Sequence, residues 1–329
     1  MSHVLVTGGT GFIGGALARA LAARGDAVRV LARPSSDLSP LDGLDIEVVR
    51  GDVLQPETLT PALEGVEVVY HLAGMLGRSG VGWETYRAIH VKGTCNLLRA
   101  CQARAMKRFV HCSSPGMLGA LGPGDPPRDE ASPHRPTGAY ERSKSAAEGA
   151  ALPLAQRLDV PLVIARPEFV YGPGDRHVLG LYRTIQRRAY FFIGRGDCLC
   201  HPTYIDDVVA GLVACAGERA RPLEAYHICG PRPVTIKELA TTIADALGVK
   251  PPKLHLPKEL VRAGAWGAEL AGRVLGIRPP LTLEGVRFFT QSRAFSIEKA
   301  RRELGWSPQV DLAEGVRRAV AWYIEQGLL

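Results

Sequence analysis

Short apolar runs and helical spacings alternate through the first half of the chain. His3–Val6 is a brief apolar run, and Phe12–Arg24 places Ile13, Leu17, Ala20 and Leu21 along one helix face. The runs Val28–Leu31, Ile46–Val49 and Val66–Leu72 predict strands, Trp83–Arg104 a long helix, and Arg108–Cys112 another strand. Gly138–Leu158 then reads as helix and Pro161–Ala165 as strand. Strands alternating with helices through short connections predict an α/β fold with a parallel, doubly wound sheet. The near-continuous apolar character of the strands predicts a sheet covered on both faces.

The rhythm changes after residue 166. Loops rich in Gly and Pro (Gly172–Gly174, Gly194–Gly196) mix with predicted helices at Ile205–Ala216, Thr235–Leu247, Pro257–Leu275 and Leu312–Gln326. Ala225–Cys229 is a candidate strand that rejoins the sheet. The expected division is therefore 1–166, with later returns near 199–229, and a smaller part over 167–329. There is no internal repeat and no low-complexity segment.

At 329 residues, with 46% hydrophobic and 22% charged residues, the chain has enough apolar material for a sizeable core. That balance excludes a coiled coil, a collagen-like chain and a disordered tail. No apolar run reaches the roughly 18 residues of a membrane span. The N-terminus enters a strand too soon to suit a secretory leader. The net charge is +7, but the basic residues are scattered, with pairs such as Arg187-Arg188 and Arg301-Arg302 never growing into a stripe. Nucleic acid is therefore not the expected partner, and a modest positive field suits an anionic small molecule. Seven cysteines without a CxxC spacing predict a reduced, cytoplasmic setting. Cys198, Cys200 and His201 lie close together, but no second ligand pair follows, so no metal site is expected.

Chemistry concentrates at three places. Thr7-Gly-Gly-Thr-Gly-Phe-Ile-Gly14 follows the first strand and opens the first helix, with Gly8, Gly11 and Gly14 spaced GxxGxxG. Glycines there permit a tight turn and let a pyrophosphate reach the backbone N–H groups at the positive end of a helix. At the end of the second strand stands Ala32, where an acid would bind a ribose 2′-hydroxyl, and Arg33 follows it. Arg33 can pair with a 2′-phosphate, which favours NADP over NAD; the alternative is an arginine stacked on adenine. Third, Tyr140-Glu-Arg-Ser-Lys144 puts a phenol and an ammonium on one helix face. A cation about 4 Å away at an effective dielectric of about 20 is worth roughly 4 kcal/mol, so the phenol is expected to fall from about 10 toward 7.

With these residues in place, the chain resembles the extended short-chain dehydrogenase/reductase family, within the NAD-dependent epimerase/dehydratase superfamily. The resemblance runs essentially end to end through the glycine run, Gly51-Asp52-Val53, His71-Leu-Ala-Gly74, Ser113-Ser114, the Tyr140/Lys144 pair and Arg166-Pro167…Tyr171-Gly-Pro-Gly-Asp175. It implies a Rossmann-type sheet and a small C-terminal substrate domain. It also implies an enzyme in which Ser114 orients the substrate oxygen, Tyr140 transfers a proton and Lys144 binds the ribose. Ser114 is preferred to Ser113 because it lies five residues before Gly119, as the family's active Ser or Thr does. Phe12, Ile13, Asp52, Val53, Ala73, Gly74 and Pro167 complete the implied cofactor contacts. His90 stands where the family usually has Asn, either relaying protons or filling space.

Within the family, Pro115-Gly116 after Ser114 excludes the dehydratases, which need an acidic pair there. Cys200 and Phe169 stand where many nucleotide-sugar epimerases carry Arg and Asn. The segments Phe192-Ile-Gly-Arg-Gly196, Pro202–Val209 and Lys299–Trp306 are similar to the 3β-hydroxysteroid dehydrogenase and dihydroflavonol-reductase-like branch. The resemblance implies hydride transfer between a nicotinamide cofactor and a secondary alcohol or ketone on a mainly apolar substrate. Phe169, His201 and Tyr204 are the candidate substrate residues, with Tyr190, Phe191 and Trp266 as further apolar candidates. Nucleotide-sugar C4 epimerisation, with Arg176, Arg183 or Arg195 holding the diphosphate, is the alternative. A cofactor-binding sensor or assembly subunit without turnover is a further one. A homodimer is expected.

Overall fold

The computed structural model describes residues 2–77, 80–102, 104–275 and 282–329. Seven parallel strands form the central sheet: β1 (His3–Thr7), β2 (Ala27–Ala32), β3 (Glu47–Arg50), β4 (Val68–His71), β5 (Arg108–Cys112), β6 (Leu162–Pro167) and β7 (Ala225–Ile228). Their spatial order is β7-β6-β5-β4-β1-β2-β3, and every neighbouring pair is parallel. The order reverses between β1 and β4, which opens a crevice at their carboxyl ends. The expected Rossmann-type sheet is present, and the Ala225–Cys229 run does rejoin it.

Alternation along the strands explains why their sequences look uniformly apolar. Val4, Val6, Val28, Val30, Val110 and Val163 face a core shared with helix α1 (Phe12–Ala23) and helix Ile205–Ala216. Leu5, Leu31, Val69, Phe109, Leu162 and Ile164 face the opposite core, filled by helix α2 (Gly93–Ala100) and helix α3 (Ala139–Leu158). With helices on both faces, both parities of residue are buried in central strands such as β4 and β6. The predicted Trp83–Arg104 helix is three consecutive pieces: Trp83–Tyr86, a π-helical stretch Arg87–Lys92, and α2 ending at Ala100. Ala103 of that span lies outside the described residues.

A buried ion pair ties β6 to α3. Arg166 donates from Nε to Glu148 Oε1 at 3.0 Å and from a terminal nitrogen to Oε2 at 2.5 Å, with both side chains almost fully buried. Since α3 also carries Tyr140 and Lys144, this pair sets the helix against the sheet edge that faces the crevice. Glu148→Ala would strand the guanidinium in the core. It is expected to cost about 3–5 kcal/mol of unfolding free energy in a urea titration.

Candidate active site

A cleft of about 2520 Å³ runs along the carboxyl ends of the strands. Among the residues that line it are Gly8, Gly11, Phe12, Ile13, Gly14, Arg33, Asp52, Val53, Ala73, Gly74, Ser114, Tyr140, Lys144, Pro167 and Phe169. The sequence-predicted catalytic and cofactor residues thus share one cavity. A smaller depression of about 470 Å³ around Gly194–Asp197 and His255 contains none of them.

The glycine turn is shaped for close approach. Gly8 sits at φ 74°, and a Cβ there would lie 2.7 Å from the Leu72 carbonyl carbon. A Cβ on Gly14 would collide with the Gly8 carbonyl oxygen, so the helix can begin this close to the turn only with glycine. A Cβ on Gly11 would meet only the Gly8 oxygen. No side chain among the described residues caps α1, and its first turn holds no acid. Its leading N–H groups are therefore available to an anion, as a bound pyrophosphate requires. At the far end of this half-cleft, Asp52 Oδ1 accepts from the Leu54 N–H at 2.9 Å, and Arg33 lies exposed at the end of β2. The residues present fit a dinucleotide.

Below the turn runs a buried ladder of polar groups. The Ala73 N–H donates to Thr7 Oγ1 at 3.1 Å, and Thr94 Oγ1 donates to the His90 carbonyl at 2.6 Å. With those directions set, Thr7 donates to His71 Nδ1 at 2.8 Å and His71 Nε2–H donates to Thr94 at 3.0 Å. Burial holds His71 neutral, at about 3. A second chain starts from the Met75 N–H, which donates to His90 Nε2 at 3.0 Å. That places the His90 proton on Nδ1, which donates to Ser143 Oγ at 2.7 Å, and Ser143 donates to the Tyr140 carbonyl at 2.6 Å. Both ring nitrogens of His90 are occupied, and burial lowers its pKa to about 3. His90 therefore clamps the loop after β4 to α3.

Lys144 is buried, and Tyr140 is half-buried in the cleft wall. The Lys144 ammonium lies 6.0 Å from the Tyr140 ring centre and donates to the Cys112 carbonyl at 3.0 Å. Burial pushes the phenol above its ordinary range and lowers the lysine. This corrects the expectation of a phenol drawn toward 7 by the helical pair. Desolvation outweighs a cation that stands farther off and is engaged by a carbonyl, so Tyr140 is a protonated phenol. Ser114 begins a short 3-10 turn, Pro115–Leu118, and its Oγ accepts from the Gly116 N–H at 3.2 Å. Tyr140 and Glu168 stand beside the same hydroxyl in the cleft lining. Ser113 Oγ is buried without a hydrogen-bond partner.

Two residues absent from the sequence reading complete this wall. Glu168 follows Pro167 at the end of β6, and burial raises its carboxyl to about 7 despite the nearby Arg293. Arg293 arrives from a segment fixed to Leu199 by a backbone hydrogen bond of 2.8 Å, and its guanidinium pairs with Glu141 at 2.5 Å. An acid following Arg-Pro in an apolar strand was a local signal for Glu168. Arg293 has none, because 125 residues separate it from Glu168 and only the fold brings them together.

The substrate candidates divide. Phe169, held at φ 37°, lines the cleft and packs on Phe288 with ring centres 5.2 Å apart. Tyr190, Leu181 and Phe289 extend the same apolar wall. His201 and Tyr204 do not reach the cleft. His201 donates from Nε2 to the Gly230 carbonyl at 3.0 Å and accepts from the Phe295 N–H at 3.3 Å, bracing buried backbone. The Tyr204 ring packs edge-on against Tyr171 at 5.8 Å under Arg318. Phe191 packs into a side cluster with Ile193 and Val261, and Trp266 is 62% exposed. Of the proposed diphosphate cations, Arg176 lines the cleft, Arg183 donates to the Leu328 carbonyl, and Arg195 sits exposed beside Asp197. Cys198 and Cys200 are buried free thiols, and no cluster of metal-ligating groups occurs among the described residues.

Comparison with known proteins agrees with this geometry. The chain is 31% identical to a 2-alkyl-3-oxoalkanoate reductase of Stenotrophomonas maltophilia, over 97% of this chain and 98% of the relative. It is 30% identical to a 3 beta-hydroxysteroid dehydrogenase/Delta 5-->4-isomerase of Mycobacterium tuberculosis, over 98% and 91%. The crystal structure of gox2253 superposes with a TM-score of 0.84 at 31% identity, covering all of both chains. The family model described as the NAD dependent epimerase/dehydratase family matches residues 4–229, so the chain belongs to that family, in its extended short-chain dehydrogenase/reductase branch.

Proposed function

We propose that this enzyme is an oxidoreductase that moves a hydride between a nicotinamide dinucleotide, preferably NADP, and a secondary alcohol or ketone on a mainly apolar molecule. The observation that carries the reading is the meeting of Ser114, Tyr140 and Lys144 with the glycine turn at one end of a cleft whose other wall is Phe169, Tyr190, Phe288 and Phe289. Residues 1–166 with β7 supply most of the dinucleotide half, and residues 167–329 supply most of the apolar wall. The protein acts in the cytoplasm, as a homodimer; no described helix is long and apolar enough to cross a membrane.

When bound, the nicotinamide supplies or accepts the hydride. The chain does the rest. Gly8, Gly11 and Gly14 admit the pyrophosphate to the α1 N-terminus. Ser114 holds the substrate oxygen, and Tyr140, kept protonated by burial, gives its proton to that oxygen as negative charge develops during ketone reduction. Lys144, anchored on the Cys112 carbonyl, holds the ribose and supplies the positive charge that supports a phenolate afterwards. The NADP preference rests on Arg33 and on the acid four residues later. Asp37 turns its carboxylate to Ser39, accepting from N at 3.0 Å and from Oγ at 2.8 Å, and so is not offered to a ribose diol.

The epimerase reading draws on Arg176 and Arg293, two cations in the cleft that could meet a sugar diphosphate. Against it, Arg293 is already paired with Glu141, and Phe169 offers no hydrogen bond. A thermal-shift screen separates the two: hydrophobic alcohols or ketones are expected to raise Tm in the presence of cofactor. Stabilisation by UDP or GDP alone would favour epimerisation.

Tyr140→Phe is expected to lower turnover by about 10²–10⁴-fold, with cofactor affinity nearly unchanged in a fluorescence titration. Lys144→Ala should damage both. A sensor or assembly subunit would instead show full function in Tyr140→Phe. Arg33→Asp is expected to reverse the preference from NADP to NAD, read as the ratio of the two dissociation constants. Tighter NAD binding by the unaltered protein would refute the Arg33 reading.

A further inference from the structure

A buried acid stands behind Ser114, and the reaction scheme above leaves it without a task. Glu168 closes the cleft wall where Ser114, Gly116 and Arg293 converge. A Cβ on Gly116 would lie 3.4 Å from Ser114 Oγ, 3.2 Å from an Arg293 terminal nitrogen and 3.7 Å from Glu168 Oε2. The glycine thus leaves a small polar space that these three side chains border. Ser114, Tyr140 and Glu168 line the same stretch of the cleft, with the Ser114 hydroxyl close to both the phenol and the carboxyl. On the other side of Tyr140, His90 Nε2 already accepts the Met75 N–H.

Resting on the oxidoreductase reading, we infer that Glu168 is the proton store for Tyr140, connected to it through the Ser114 hydroxyl. In ketone reduction, hydride from the reduced nicotinamide forms the new C–H bond. The Tyr140 O–H bond breaks as its proton joins the substrate oxygen. Ser114 then passes its hydroxyl proton to the phenolate and takes the carboxyl proton of Glu168. The carboxylate left behind recovers a proton from water in the cleft. Alcohol oxidation runs the same transfers backwards and begins from the carboxylate. Glu168 does not touch the reacting carbon and acts only through Ser114.

The surroundings permit this cycle. Among the described residues, the charged groups around Glu168 are Arg293 and Glu141, paired with each other; Tyr140, Cys200 and Cys229, all pushed upward by burial, are neutral neighbours. Burial raises Glu168 and Arg293 pulls it back, which leaves the carboxyl near 7, where it can both give and accept a proton.

Two measurements test the store. Infrared titration of the cofactor-free protein should show a protonated-carboxyl band that fades as pH rises through about 7 and is missing in Glu168→Gln. In steady-state reduction, kcat should fall across the same pH range, because the acid form is the one required. Glu168→Gln should lower kcat about tenfold or more and flatten that limb, with cofactor affinity unchanged. Glu168→Asp should restore a pH-dependent limb, and Arg293→Gln should move the limb to higher pH by removing the cation that lowers Glu168. Absence of the titrating band, or a Glu168→Gln protein with the original kcat and pH profile, overturns the store while leaving the oxidoreductase intact. If the unaltered chain turns over no alcohol or ketone, the oxidoreductase reading falls, and the store falls with it.

Discussion

The polar ladder through Thr7, His71, Thr94 and His90 is the constraint on which the site depends. It crosses the point where the strand order reverses, the one place where a doubly wound sheet leaves its carboxyl ends uncovered. Each donor in it meets an acceptor, from the Ala73 N–H to the His90 carbonyl. In a low-dielectric interior such a chain is stabilising only when complete, since one missing member leaves a buried polar group unpaired. The ladder therefore fixes the ends of β1 and β4 and the helix beyond them as one unit. The His90 chain then extends that unit to Ser143 and the Tyr140 backbone. The end of β1 and the helix that carries Tyr140 are held by the same connected set of hydrogen bonds.

Burial is the second organising force, and it acts on Tyr140, Lys144 and Glu168. The phenol is driven up, the lysine down and the Glu168 carboxyl up, each toward its neutral form. The phenol in this condition holds its proton until charge arrives. Negative charge developing on a substrate oxygen, or the positive ring of an oxidised nicotinamide, would then shift these groups, because charges interact more strongly in a low-dielectric interior than in bulk water. The apolar wall of Phe169, Phe288, Phe289 and Tyr190 serves the same end, since a hydrophobic substrate that fills it removes the remaining water.

The sequence by itself determined the sheet, because strand, turn and helix signals are local and here agree with one another. The seven strands appear close to their predicted bounds, and Gly8, Gly14, Tyr140 and Lys144 were legible because each sits in a short motif beside its own element. Its limits follow distance along the chain. Two residues at i and i+4 were expected to set a pKa, yet the Cys112 carbonyl, 32 positions from Lys144, takes the ammonium, and burial decides the phenol. His201 and Tyr204 carried chemistry by type, but their partners, Gly230, Phe295, Tyr171 and Arg318, turn them into bracing for the second half. Only the tertiary structure brought Arg293 and Glu168 to Ser114 and closed both nitrogens of His90. Desolvation and hydrogen-bond partnership belong to the assembled interior, and no local pattern of residues contains them.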